Sequence, residues 1–184
     1  MRRSRALSER ARRAGCAMTR STRRASGEGG FTVVEMMVVV GIIAILALLA
    51  LPSYQEKLVR DQIVEALPLA DIAKPPIAAA WVIAQSFPAD NAAAGLPADD
   101  RIVSNLVSAV SVQAGAIHLT FGNRANGLIK GKVLTLRPAV VEDAPIVPVA
   151  WVCGYAPVPE KMTAKGENRT NIPAAYLPFK CRSG

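Results

Sequence analysis

Residues 31–51 read FTVVEMMVVVGIIAILALLAL, an apolar run of 21 residues with a single charge, Glu35. As an α-helix this run is roughly 31 Å long at 1.5 Å per residue, close to the thickness of a bilayer's hydrocarbon core. Residues 1–30, just before it, carry nine Arg against Glu9 and Glu28, a net charge of +7. Residues 31–184 carry thirteen basic and twelve acidic residues, so the basicity of the chain belongs to its first segment. One reading of such a segment is a basic arm that binds nucleic acid. A topological signal is the better reading, because the apolar run follows directly. The Arg-rich flank is then expected to stay cytoplasmic and the C-terminal part to lie outside the membrane. A secretory signal peptide shares the basic-then-apolar order, but its apolar core is shorter and is cut behind that core.

Helical periodicity continues past the run. Val59, Ile63, Ala66, Leu67 and Ala70 form an apolar stripe, with Glu56, Arg60, Asp61 and Glu65 off it. Pro52 and Pro68 each remove a helical hydrogen bond and predict kinks. Pro75-Pro76 is harsher, since a residue before proline is pushed out of the α region, and it predicts an interruption near 74–76. Residues 86–100 are rich in turn formers and read as a loop. Strand-like stretches follow: SNLVSAVSVQ and AIHLTFG on either side of Gly115, then KVLTLRPAVV after the turn-rich GNRANG, then PVAWVCGYAP. In AIHLTFG, Ile117, Leu119 and Phe121 share the face expected to meet the helix, which places His118 on the opposite, solvated face. Residues 156–184 are Pro-rich and read as a loop. Short consecutive strands after one long helix predict an α+β head with an antiparallel sheet.

Catalytic chemistry has little to work with. His118 is the only histidine, and no Ser/His/Asp set, phosphate-binding Gly loop or metal-ligand cluster is present, so the chain reads as a non-enzyme with no cofactor and no metal. The cysteines, Cys16, Cys153 and Cys181, form no CxxC. The two near the C-terminus suit a disulfide in an oxidising compartment. Charge is uneven along the remainder: residues 31–100 sum to −5 and residues 101–184 to +6. No acid lies between Arg101 and Glu142, where Arg124, Lys130, Lys132 and Arg137 fall. Such a run reads as a solvated face or as complementary packing between copies; the sharper reading is a strip for DNA, since phosphate contacts need clustered Lys and Arg.

The junction GEGG–FTVVE resembles that of the type IV pilins, in which a basic leader ends in Gly, the mature chain begins with Phe, and the fifth mature residue is Glu. Gly30, Phe31 and Glu35 occupy those places, and Pro52 and Tyr54 stand where pilins carry Pro and Tyr. VSAVSVQAGAIHLTFGNRAN, IKGKVLTLRPAV, WVCGYAP and YLPFKCR look like the head of the longer pilins. The resemblance implies the pilin fold: a leader over 1–30, a membrane and filament-core helix over 31–54, and a head over 55–184 with its sheet at about 101–155. It implies cleavage between Gly30 and Phe31 by a membrane-bound prepilin peptidase, N-methylation of Phe31, and a C-terminal loop closed by Cys153–Cys181. On a chain-entropy estimate such a closure contributes roughly 3.5 kcal/mol.

It further implies a homopolymer at the cell surface, built from a single-pass inner-membrane precursor by an assembly platform and its ATPases, and serving adhesion, twitching motility or DNA uptake. Alternatives are a minor pilin acting as a DNA receptor and a type II secretion pseudopilin. A carboxylate in an apolar span costs on the order of 2.5–3.5 kcal/mol at the centre and less near the edge. Glu35 is therefore either a snorkelling boundary residue or the partner of the Phe31 amine of a neighbouring subunit. Departures from the pattern are Lys57 in place of a second Tyr, the added Pro68, Pro75 and Pro76, and a long leader that a start at Met18 shortens to 13 residues.

Overall fold

The computed structural model describes residue 30 and residues 32–183. Residues 1–29, with Cys16 among them, and Phe31 lie outside the described residues. The chain divides between Gly41 and Ile42 into two compact units. Helix α1 runs over Val33–Ala70 and passes through Pro52 and Pro68 without interruption. The predicted interruption does occur, but upstream of its predicted place. Residues 71–73 form the break, and helix α2, Lys74–Ala84, begins with Pro75 and Pro76 in its first turn. The first N–H groups of a helix have no intrahelical acceptor, so prolines there forfeit nothing, and their fixed φ suits the start of a helix. In the break itself the turn tightens, with Asp71 N donating to Pro68 O and Ala73 N to Ala70 O.

The buried stripe of the second unit crosses this break in phase. Val59, Ile63, Ala66 and Ala70 of α1 are followed by Ala73 and by Ile77 and Trp81 of α2, all buried. Five strands form the sheet: β1 Val107–Gln113, β2 Ala116–Phe121, β3 Val133–Val140, β4 Ala150–Cys153 and β5 Thr163–Ala164. The order is β1-β2-β3-β4, every pairing is antiparallel, and β5 also pairs with β3. Val110, Val112, Ile117, Leu119, Phe121, Leu134 and Leu136 join the helical stripe in one core. The β1–β2 hairpin turns on Ala114 and Gly115 at φ 47° and 80°. Positive φ at both central positions is what a two-residue hairpin needs. A Cβ at Gly115 would lie 2.7 Å from Phe87, so glycine is required there for space as well.

β1 is an edge strand, and its free edge is covered by the loop over 86–100. Buried Asn91 donates from Nδ2 to Val110 O at 2.9 Å and to Pro97 O at 3.0 Å, and accepts from Val112 N at 2.6 Å. Such coverage blocks the edge from pairing with a foreign strand.

Two expectations fail on the far side of the sheet. His118 is 2% exposed rather than solvated, and residues 156–184 are not all loop, since β5 and two 3₁₀ turns lie among them. The burial of His118 has a definite cause. Lys165 N donates to Pro138 O, Arg169 N donates to the Thr135 hydroxyl, and Asn171 N donates to Val133 O. The segment over 165–171 is thereby strapped along β3, over the face that alternation alone would have left to water. Gly166 comes so near Ala116 that a Cβ there would sit 2.6 Å from Ala116 Cβ.

Candidate functional site

α1 begins with a cap. Thr32 Oγ1 accepts the Glu35 N–H at 3.2 Å, and Thr32 O accepts the Met36 N–H at 3.1 Å. The sequence reading missed this, although T-x-x-E before an apolar run is the signature of a capped helix start. Glu35 thus stands in the first turn, where the positive end of the helix dipole favours a carboxylate by about 0.3–1 kcal/mol. That is well below the cost of an unpaired carboxylate in hydrocarbon. The described ion pairs do not include Glu35.

From Val33 to Leu49, every large apolar side chain is exposed, from 40% at Val39 to 77% at Val33. None of the most apolar window of α1 is buried, and its mean hydropathy is 2.8. Covering these side chains is worth on the order of 15 kcal/mol at the usual value per buried aliphatic group. By length and composition this stretch of α1 is enough to cross a membrane.

At the other end of the chain Cys153 and Cys181 form a disulfide, with their Cα atoms 4.5 Å apart. It ties the end of β4 to the 3₁₀ turn Phe179–Cys181. Gly154 follows at φ 55°, and a Cβ there would lie 2.8 Å from Cys181 O, so only glycine fits beside the bond. Tyr155 N donates to Cys181 O, and Tyr155 Oη donates to Thr170 O at 2.8 Å.

The four basic residues singled out in the sequence fall in different settings. Arg124 and Lys130 are exposed on the β2–β3 connection and Lys132 is half-buried at its end. Arg137 lies on the strapped face of β3, half-buried, with its Nε enclosed and unpartnered. Lys132 and Arg137 are about 16 Å apart along an extended chain. His118 Nδ1 lies 2.9 Å from Thr135 Oγ1, and Nε2 is enclosed without a partner. Burial, aided by Arg169 and opposed by Glu167, lowers its pKa to about 4. The imidazole is therefore neutral near pH 7. Among the described residues no three His, Cys, Asp or Glu side chains are placed to hold a metal.

Two family models match the chain. The model of a family described as pilin, a bacterial filament protein, matches residues 59–182. A prokaryotic N-terminal methylation motif matches residues 26–51. A fimbrial protein of Neisseria meningitidis serogroup A is 34% identical over 163 residues, covering 83% of this chain and 93% of the relative. The type IV major pilin protein PilE of Neisseria gonorrhoeae is 33% identical over 162 residues, with 83% and 93% covered. The fimbrial protein EcpC of Eikenella corrodens is 33% identical over 159 residues, with 84% and 90% covered.

Proposed function

The chain belongs to the pilin family and is a structural filament subunit rather than an enzyme, and from that premise we propose how it is processed and assembled. The basic leader over 1–30 holds the N-terminus in the cytoplasm while the helix over 31–54 anchors the precursor in the inner membrane. Prepilin peptidase cuts between Gly30 and Phe31 and methylates the new amine, which remains a cation. An inner-membrane platform and its ATPases then transfer the subunit from lipid to polymer. The surface pilus so formed serves adhesion, twitching motility or DNA uptake.

The observation that carries this reading is the exposed apolar surface of α1 with one carboxylate in its first turn. Lipid covers that surface before assembly, and the α1 helices of neighbouring copies cover it afterwards. Glu35 pairs with the Phe31 amine of an adjacent subunit, so charge balance sets the axial register of a polymer whose apolar contacts are non-directional. N-terminal sequencing and intact mass of the exported subunit test the processing. A chain starting at Phe31 and carrying one added methyl group is expected; any other first residue refutes the assignment of the junction.

A further inference from the structure

A polymer that does not close needs heterologous contacts, in which one surface of a subunit meets a different surface of the next. The head carries two complementary surfaces of this kind, at opposite edges of its sheet.

The first surface is a groove. Against the β1 edge lies an open depression of about 500 Å³, lined by Ala92, Leu96 and Ala98, by Ser111 and Gln113 of β1, and by Asp90 and Asp99. Both carboxylates are exposed. One oxygen of Asp90 accepts the Ala93 N–H and one of Asp99 accepts the Asp100 N–H. Each therefore has its second oxygen open to an outside partner.

The second surface is a knob. Phe179 is 80% exposed, an unusual state for the ring of a well-folded head. The disulfide neighbour Cys181 fixes its turn to β4. Cations hold the ring: Arg182 Cζ lies 5.0 Å and Arg60 Cζ 5.9 Å from its centroid. Arg60 and Arg182 each donate from Nη2 to Ala175 O, at 3.0 and 2.9 Å, which fixes both guanidinium groups in place. Lys180 is exposed next to the ring. Between Pro173 and Ser183 there is no acid.

We propose that Phe179, with Lys180 and Arg182, seats in the groove rimmed by Asp90 and Asp99 on the next copy of this chain in the filament. The inference rests on the filament reading above and adds the head-to-head contact to it. An aromatic anchor packing on Ala92, Leu96 and Ala98 of the groove, flanked by arginine, has the composition of an interface hot spot. Rim carboxylates opposite flanking cations set its orientation. β1 and β4 are separated by three inter-strand spacings, about 14 Å, so knob and groove belong to different sides of one head and must be satisfied between copies.

A photo-reactive p-benzoylphenylalanine installed in place of Phe179, in cells making the full chain, tests the contact. Irradiated filaments are expected to yield subunit dimers whose crosslink maps to residues 89–99, and detergent-dispersed subunits none. In parallel, Phe179→Ala is expected to lower the filament yield about tenfold while leaving membrane subunit levels unchanged. Crosslinks from intact filaments that map elsewhere, or an undiminished yield from Phe179→Ala, overturn this contact and leave the filament reading standing. Failure of the unsubstituted chain to form filaments removes the reading, and this contact with it.

Discussion

Asn91 and Val112, 21 residues apart, meet where a side-chain carbonyl accepts a strand's outward N–H at 2.6 Å. Through that bond, and the donation to Val110 O, the loop over 86–100 closes the edge of the sheet.

Replacing Asn91 by Leu is therefore expected to cost about 2–4 kcal/mol, because buried backbone groups lose their partners while the side-chain volume is kept. Chemical denaturation of the detergent-solubilised subunit measures the loss. Hydrogen exchange at Val112 locates it, and unchanged protection there contradicts the role given to Asn91.

His118 gives the head a stability that depends on pH. Its pKa is lowered from 6.5 to about 4 by burial first and by Arg169 second, so the unfolded chain takes up this proton before the folded one does. The contribution is fully present above about pH 6.5, declines as pH falls, and is gone below about pH 4. Over that window it is on the order of 3 kcal/mol. A His118→Gln variant is expected to flatten the thermal stability profile between pH 7 and 4, and a parallel profile argues against this assignment.

Cys181→Ser is expected to lower stability by roughly 2–5 kcal/mol, and Cys153→Ser by a similar amount. The double variant should lose no more than either single one, since all three remove the same bond. Additive losses indicate a role for one sulfur outside the disulfide. Calorimetry on the purified subunits separates these outcomes.

Glu35→Gln keeps the shape of the first turn and removes its charge. Processing to a chain starting at Phe31 should continue, while sheared filament falls by tenfold or more, the loss of one buried charge pair. Wild-type filament yield from this variant would falsify the pairing of Glu35 with the Phe31 amine.

Sequence alone determined what rests on local pattern. An apolar run long enough to cross a bilayer, Arg before it, and alternation in the strands each report on neighbouring residues, and the helical stripe from Val59 to Ala70 was legible for the same reason. The cap at Thr32 was legible too, though unread. Tertiary structure alone decided the fate of His118 and of the C-terminal segment. The strap that buries His118 comes from some 50 residues further on, and strand alternation says which side chains share a face but not what later covers it. The break before α2 also needed the fold: the same two prolines end one helix or begin the next, and the choice follows from burying Ala73 and Ile77 in phase with Ala70. Neither the groove beside β1 nor the ring of Phe179 has a local signal, because each is made by segments brought together only when the sheet closes against its helices.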